Sequence, residues 1–514
     1  MASKIKVDTL ETANGSGSIT INNPINTAGI TSVTLGSGNF VAGSTAGDSI
    51  VSGGDNNTLV GTNAGTAITT GDRNTALGVD ALNDVTTASY NTAIGTYAGQ
   101  SITTGATNTA VGDAALASTT TASDNTAVGQ GSLNANTTGA SNTAVGRNAL
   151  TTNTTGPRNT AVGQAALQSH TTGANNSAFG CRALQNSTTA EENTAYGFEG
   201  LLSTTTGNYN TSVGGGALYA NTTASNNTAV GKNALRANTT GSFNTAFGRS
   251  ALLSNTTANQ NVAIGGESLD ANTTGSDNVA VGISSLGANT TGTYNTAVGS
   301  SALAANTTGG SNTAMGNGSG YTNTTGGFNT FLGYDARGSG ATVSNQNVIG
   351  YNVTSAGASY TTLGTGINKS WISHGATSWS GSSDSRLKDN ITTSTAGLSF
   401  INDLRPVTYE WKAKGDVPVE LEAYEEGSTE RVNGTDKVQH GFIAQEVKAA
   451  IDAHSDIKNG HGMWNELDDG TQGIAQGQLV PMLVKALQEL SAKNDALETQ
   501  NATFAARLTA LEGE

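Results

Sequence analysis

Residues 142–158 read N-T-A-V-G-R-N-A-L-T-T-N-T-T-G-P-R, and variants of this phrase occupy most of the chain. The glycine that closes the first five letters returns every 17 residues from Gly61 to Gly350, which makes 18 repeats without an insertion. A fixed short period indicates a repeat architecture in which each unit packs on its neighbours. The sequence therefore predicts one long repetitive element rather than a series of separate globular domains.

Two positions of each repeat are apolar. The residue before the repeated glycine is Leu77, Ile94 and Val111 in three consecutive units, and a leucine such as Leu82 or Leu116 follows the glycine by four positions. Stacked coils merge such positions into continuous columns, so we expect both columns to be buried. Because Thr, Val and Gly favour strands and tight corners, the pattern predicts two short strands per coil in a parallel β-solenoid or β-roll.

Stacking places equivalent residues of successive coils above one another, roughly 4.8 Å apart. At that spacing the repeated asparagines are expected to form amide ladders, as in other stacked β assemblies. A thin solenoid offers little core within one chain, so lateral association is expected. We predict a homotrimer.

The composition excludes several classes of protein. The 514 residues include 68 Gly but only 5 Pro, which excludes collagen. Cys181 is the only cysteine, so a disulfide scaffold is excluded and a zinc site is not expected. No apolar run approaches a membrane span, no secretion signal is visible after Met1, and a net charge of −15 disfavours binding to nucleic acid. We therefore expect no cofactor, no metal, no nucleic-acid partner and no membrane insertion.

Charge is distributed unevenly along the chain. Residues 1–380 carry 16 acidic and 11 basic residues, whereas residues 381–514 carry 22 and 12. All four tryptophans lie after residue 370, so the two parts differ in kind. The predicted divisions are an N-terminal segment (1–50), a shaft (51–350), a Gly/Ser/Thr-rich connector (351–382) and a C-terminal domain (383–514).

The residue immediately before the first asparagine of each repeat is an informative position, because it takes both charged and aromatic side chains. We call this row the variable column. It accepts charged residues such as Arg73 and Asp124, which indicates a solvent-facing position. Two interpretations of its aromatic members stay open: a sugar-stacking surface for a receptor, or surface variety that includes packing against a neighbouring chain. The aromatic members are Tyr90, Tyr209, Phe243, Tyr294 and Phe328.

The repeats over residues 51–350 resemble the head repeats of trimeric autotransporter adhesins and the repeats of bacteriophage tail fibres. The resemblance implies a parallel β-roll in a trimer. A trimeric autotransporter also needs a secretion signal and a C-terminal membrane barrel, and we find the pattern of neither, which favours the phage version. In phage fibres the N-terminal end attaches to the virion, so the resemblance implies that residues 1–50 bind phage tail or baseplate proteins.

The C-terminal domain contains three further motifs. Residues 382–391 read S-S-D-S-R-L-K-D-N-I, residues 440–447 read H-G-F-I-A-Q-E-V, and residues 478–490 read Q-L-V-P-M-L-V-K-A-L-Q-E-L. The last motif runs into apolar residues spaced by seven, from Leu483 to Leu511. Such a/d periodicity predicts a parallel coiled coil over residues 479–512.

Together the three motifs resemble the endosialidase-type intramolecular chaperone domain at the end of phage tail fibres and tailspikes. The resemblance implies a domain that drives trimerisation and then cuts itself off in a single turnover. Carried over, Ser383 is the nucleophile, Lys388 is the base and the bond cut is Ser383–Asp384. A lysine activates serine when its own pKa is lowered, and Arg386 is near enough in sequence to contribute. His440 either supports the site or has a structural role.

The interpretation is a mainly β, homotrimeric phage tail fibre with an α+β chaperone domain that ends in a trimeric coiled coil. We expect it to be a virion component, assembled in the host cytoplasm, that binds a host cell-surface glycan or protein and does not act as an enzyme on external substrates. One alternative is a tailspike that degrades glycans, which needs a pair of carboxylates that the acid-poor shaft does not suggest. The other is an ice-binding solenoid, in which the C-terminal domain has no role.

Overall fold

The fold is taken from a computed structural model that describes residues 37–455, 457, 462–467 and 470–513. The chain divides into two compact units, Met1–Ser382 and Ser383–Glu514. Most of the predicted attachment segment, residues 1–36, lies outside the described residues. The boundary between the units coincides with the predicted start of the C-terminal domain.

The first unit is a parallel β-solenoid in which each coil contributes one strand to a continuous ladder. Each strand from β2 to β18 pairs in parallel with the equivalent residues 17 positions further on, as Thr143 pairs with Thr160. The strands are Phe40–Ala42 (β1), Thr58–Val60 (β2), Thr75–Leu77 (β3), Thr92–Ile94 (β4), Thr109–Val111 (β5), Thr126–Val128 (β6), Thr143–Val145 (β7), Thr160–Val162 (β8), Ser177–Phe179 (β9), Thr194–Tyr196 (β10), Thr211–Val213 (β11), Thr228–Val230 (β12), Thr245–Phe247 (β13), Val262–Ile264 (β14), Val279–Val281 (β15), Thr296–Val298 (β16), Thr313–Met315 (β17), Thr330–Leu332 (β18) and Asn347–Tyr351 (β19).

The prediction of two strands per coil was wrong. The rest of each coil consists of turns whose backbone groups bond to the next coil, as Leu150 N donates to Ala166 O at 3.0 Å. The leucine in these turns has a left-handed backbone, with φ of +52° at Leu150. A strand cannot include a residue in that conformation, so the ladder on this side is made of turns.

The core of the solenoid is narrow and is built from alanine and leucine columns. Ala144 in the middle of β7 and Leu150 in the following turn are completely buried, and the same holds in most coils. The residue before the glycine, by contrast, faces outward: Val145 and Leu77 are exposed. Our expectation that this position is buried was therefore wrong. Side chains alternate along a strand, and the small alanine at the centre is the one that points inward.

Two amide ladders run through the interior, as predicted. In the first, Asn91 donates its backbone N–H and its Nδ2 to Oδ1 of Asn74, at 3.0 and 3.2 Å. In the second, Nδ2 of Asn153 donates to Oδ1 of Asn136 at 2.8 Å. All four of these side chains are completely buried. The bonds satisfy amides that would otherwise cost about 1–3 kcal/mol each to bury.

The repeated glycine is required for two reasons: its backbone has a positive φ, and the backbone of the next coil leaves no room for a side chain. Gly146 has φ of +134°, and a Cβ on it would lie 2.6 Å from the carbonyl oxygen of Gly163 in the next coil. Only glycine adopts such a φ without strain. The glycine column thus allows two backbones to approach closely at every corner of the shaft.

The solenoid extends beyond the predicted limits of 51 and 350. Its first strand pairs Phe40 with Thr58, a step of 18 residues that a 17-residue period does not reveal. At the other end β19 pairs in parallel with β20 (Tyr360–Thr365), where Asn347 lies beside Thr361. Two antiparallel strands, β21 (Asn368–Ser373) and β22 (Ser380–Gly381), then end the sheet. The predicted connector is therefore mostly sheet.

The second unit is α+β, as predicted. Its helices are α1 (Leu398–Asp403), α2 (Ala444–Ala453) and α3 (Leu479–Glu512), and its strands form the antiparallel pairs β23 (Val407–Tyr409) with β24 (Gln439–Gly441) and β25 (Trp464–Glu466) with β26 (Gln472–Ile474). A small core joins the helices, and Phe400, Val447 and Leu479 are buried in it. Among the described helices, none has both the length and the apolar character that crossing a membrane requires.

The long helix α3 has two different parts. Its first turns pack into the unit, where Met482 and Ala486 are buried, and Glu489 accepts a hydrogen bond from Leu398 N at 2.8 Å. Beyond that point the heptad residues Leu490 and Leu497 are exposed. The 34-residue helix thus presents an unpaired apolar seam of the kind that a coiled coil covers.

Candidate functional site

Ser383 and Lys388 are in direct contact. Asp384 caps a turn of 3₁₀-helix over Ser385–Leu387, and Lys388 N donates to Ser385 O at 3.2 Å as that turn ends. The turn returns the chain towards its start, so that Lys388 Nζ donates to Ser383 Oγ at 2.8 Å. A base within hydrogen-bonding reach of a hydroxyl is the arrangement that activates a serine nucleophile.

The residue after the serine is held by Arg386. The Arg386 backbone N–H donates to Asp384 Oδ1 at 2.9 Å, and its guanidinium Nε donates to the same oxygen at 3.0 Å. This hydrogen bonding lowers the pKa of Asp384, which is half-buried, and raises the pKa of Arg386, which is exposed. The positive charge of Arg386 is therefore balanced by Asp384. The guanidinium orients the residue on one side of the Ser383–Asp384 bond, a role that the sequence alone did not suggest.

His440 lies elsewhere in the same unit. It is exposed on β24 opposite Thr408 of β23, and it lines an open cavity of about 450 Å³ together with Pro406 and Gln476. The residues that line this cavity do not include Ser383 or Lys388. No described contact brings His440 to the serine and lysine.

The Ser383–Lys388 pair is open to solvent in the single chain. Both residues are exposed, and so are Asp384's partner Arg386 and the following Leu387. Catalytic sites that depend on a neutral lysine are normally shielded from water, because burial favours the uncharged amine. The single chain thus has the hydrogen bond between Ser383 and Lys388, but both side chains are in contact with solvent.

In the described part of the chain, no cluster of three or more His, Cys, Asp or Glu side chains could hold a metal ion. Cys181 is a free thiol that is partly buried in the shaft.

The aromatic residues of the variable column are all exposed. Their exposed fractions lie between 53% and 68%. Neighbours in the column touch: the guanidinium of Arg73 lies over the ring of Tyr90, 5.2 Å from its centroid. The two residues are one repeat apart, so their contact could have been predicted from the 17-residue spacing. The aromatic residues to which these exposed fractions refer are Tyr90, Tyr209, Phe243, Tyr294 and Phe328.

Comparison with known proteins identifies the second unit. The family model described as "Chaperone of endosialidase" matches residues 383–456, which begin at the serine and include α1 and α2. No curated protein and no solved structure matches the chain. The matched segment starts where the first unit ends. The chain therefore carries a chaperone of endosialidase domain at its C-terminal end, behind a β-solenoid of 17-residue repeats, which is an architecture of the phage tail fibre type.

Proposed function

We propose that the protein is a homotrimeric phage tail fibre whose C-terminal domain aligns three chains during folding and then releases itself by cutting the chain next to Ser383. The hydrogen bond of 2.8 Å between Lys388 Nζ and Ser383 Oγ is the observation that carries the proposal. It lies at the first residue of the segment that matches the chaperone family. A serine and a lysine five residues apart would carry little weight without that match.

The proposed reaction is an acyl transfer to serine. Neutral Lys388 takes the proton of Ser383 Oγ as the oxygen attacks a peptide carbonyl carbon, and the resulting ammonium then protonates the nitrogen that leaves. Water hydrolyses the ester and regenerates the hydroxyl. Asp384, held by Arg386, fixes the orientation of the peptide bond on the C-terminal side of the serine.

Which carbonyl is attacked follows from ring geometry. Attack by Ser383 Oγ on its own carbonyl carbon would close a strained four-membered ring. A cut between Ser383 and Asp384 therefore calls for the serine of another copy of the chain. A cut within one chain would instead pass through a five-membered ring at the carbonyl of Ser382 and would separate Ser382 from Ser383.

Assembly would also supply the missing shielding. Ser383 and Lys388 are exposed in the single chain, and copies of the domain packed around them would remove water and favour the neutral amine. The exposed seam of α3, with Leu490 and Leu497, is the element that would bring the copies together. Cutting would then follow alignment, so that release marks a completed trimer.

The shaft explains why such alignment is needed. Each coil has nearly the same sequence, and a slip by one coil keeps the hydrophobic pattern while losing contacts only at the ends. A trimerising domain at one end fixes the register before the strands associate. After release the fibre would be kinetically stable, since unfolding would have to proceed without that nucleus.

The test is the intact mass of the purified full chain beside Ser383→Ala and Lys388→Ala. Ser382→Ala and Ser385→Ala are the matched controls, because these serines flank the site while the hydroxyl that accepts from Lys388 Nζ is that of Ser383. We expect two fragments from the wild type and both controls, and one uncut chain from the other two variants. Full-length wild type, or fragments from Ser383→Ala, would overturn the assignment. The fragment masses also show whether Ser383 belongs to the shaft or to the released domain.

Host-surface binding is the proposed role of the released fibre, with the variable column as one candidate contact. Exposed aromatic rings along one edge of the shaft can stack on sugar faces. Fibre with Tyr209, Phe243 and Tyr294 changed to serine should bind host cells or isolated surface glycans less than wild-type fibre. Equal binding of the variant and the wild-type fibre would show that the receptor site is not in the variable column. Attachment through residues 1–50 to phage tail or baseplate proteins, within the virion, remains part of the same proposal.

A further inference from the structure

The outward face of the solenoid ladder carries an unbroken apolar row. The row consists of the residue before each repeated glycine, and we call it the apolar stripe. Its residues are Val60, Leu77, Ile94, Val111, Val128, Val145, Val162, Phe179, Tyr196, Val213, Val230, Phe247, Ile264, Val281, Val298, Met315, Leu332, Ile349 and Leu363. Thirteen of them are exposed, with exposed fractions between 36% and 60%, and the remaining valines are half-buried. The parallel pairing of β2 to β20 makes the row continuous.

The variable column shows that apolar character is not a general property of this shaft's surface. The variable column lies on the same coils, and it contains the charged residues Arg158, Glu192 and Asp277 in addition to its aromatic residues. The apolar stripe contains no charged residue in nineteen coils. The variable column therefore accepts charged residues and the apolar stripe does not. This difference is expected if the variable column faces water and the apolar stripe is covered by a partner.

The size of the stripe supports the same distinction. Large apolar side chains that are about 40% exposed add up to on the order of 1,000 Å² of apolar surface along the shaft. A soluble monomer rarely leaves a continuous apolar patch of more than a few hundred Å² in water. A stable interface buries roughly 800 Å² per partner, so the stripe is large enough to hold a complex together.

The spacing of the stripe restricts what can cover it. Its members repeat once per coil over nineteen coils, and a partner must present apolar groups at the same interval over the same length. A second copy of this chain, parallel and aligned coil by coil, meets that requirement. We infer that the apolar stripe is the surface along which copies of the shaft pack against one another. This inference rests on the trimer of the proposed function and assigns the face of the shaft that forms it.

The stripe also contains larger side chains that could fix the alignment of copies. Phe179 and Tyr196 lie on consecutive coils with ring centroids 5.7 Å apart, and most of their neighbours in the row are valines. Bulky pairs among small residues make aligned packing differ from packing shifted by a coil. The shaft thus contains its own, weaker, register signal.

The test compares charges placed on the two rows of the same coils. The stripe variant is Val145→Lys with Val230→Lys, and its control is Ser141→Lys with Asn226→Lys in the variable column, where Arg158 is already accommodated. Native mass spectrometry of the full chains gives the number of copies. We expect the control to match the wild type and the stripe variant to form at least tenfold less trimer at the same concentration. Equal trimer content in the two variants would overturn the inference.

A second measurement does not depend on disrupting the fold. In a Cys181→Ser background, a single cysteine is placed at Val145 or at Ser141, and maleimide labelling is followed before and after denaturation. The stripe cysteine should label at least tenfold more slowly than the control in the native protein and equally fast after denaturation. Rapid native labelling at position 145 would overturn the inference. The masses of the same samples report cutting at Ser383, so a failure of the interface and a failure of the proposed self-release are seen separately.

Discussion

The ring of Phe331 occupies the space that Gly320 leaves open in the core. A Cβ on Gly320 would lie 2.5 Å from Phe331 Cδ2, and Phe331 is completely buried. In most of the preceding coils the position of Phe331 is an alanine such as Ala314, and the position of Gly320 is a leucine such as Leu303. The two exceptions therefore compensate for each other in volume.

This compensation predicts a strong coupling between the two positions. Phe331→Ala alone should lower the free energy of unfolding by about 3–5 kcal/mol because it leaves a cavity. Gly320→Leu alone should also destabilise, because the new side chain meets the ring. The double variant restores the alanine and leucine of the other coils and should recover most of the loss. Chemical denaturation of the four proteins measures the coupling, and additive effects would contradict it.

The glycine column predicts a second contrast within one coil. Gly316 has φ of +129°, and an added Cβ would lie 2.5 Å from Gly333 O, whereas Gly318 has φ of +64° with no atom within 4 Å of an added Cβ. Gly316→Ala should destabilise the shaft by at least about 2 kcal/mol, the scale of backbone strain plus overpacking. Gly318→Ala should change stability by less than about 1 kcal/mol. Thermal unfolding checks both, and equal effects would show that the close approach is not restrictive.

Much of this architecture follows from sequence, and the errors have identifiable causes. The 17-residue period fixed the register of β2 to β19, and the stacked asparagines formed the expected ladders. The exposure of Val145 was missed because hydrophobicity alone does not show that the small Ala144 is the inward residue. The first coil was missed because its step of 18 residues breaks the period. Sequence spacing cannot reveal such a change, since only the ladder shows which residues pair.

For the candidate site, the sequence identified the two principal residues but not the contacts around them. Ser383 and Lys388 were named from resemblance, and their contact depends on the turn that Asp384 caps. The ion pair between Arg386 and Asp384 was not foreseen, because two residues with opposite charge can point in different directions on a short turn. His440 could not be placed from sequence, since its position depends on how β23 and β24 pair.

An interruption of the second amide ladder predicts a pH dependence. His170 occupies the position of Asn153 in the next coil, where its ring nitrogens bond to Gly173 O at 2.8 Å and Ser187 Oγ at 3.1 Å. Asn153 Oδ1 is buried without a hydrogen-bond partner. Burial lowers the pKa of His170, and the bond to Gly173 and the charge of Glu191 oppose this only in part.

Because the pKa of His170 is lower in the folded chain than the usual value near 6.5, the unfolded chain takes up a proton first as the pH falls. Stability should therefore be full above about pH 6.5 and decline as the pH falls from there towards the folded-state pKa. His170→Asn should remove this decline and, by giving Asn153 a donor, stabilise the shaft by about 1–3 kcal/mol at pH 7. Melting temperatures of both proteins between pH 5 and 8 test this, with His374→Asn as a control. Parallel curves would contradict it.

The ring geometry at Ser383 predicts cutting between copies if the bond is Ser383–Asp384. In mixed assemblies made by co-expressing wild type with Ser383→Ala that carries a mass tag, wild-type serines would then cut the tagged chains next to residue 383. A tagged Ser383→Ala/Lys388→Ala chain is the control for the role of its own lysine. Because Lys388 bonds to the serine of its own chain, the control should be cut as well. Tagged chains that stay whole while wild-type partners are cut would show that each serine attacks its own chain. The fragments should then separate Ser382 from Ser383.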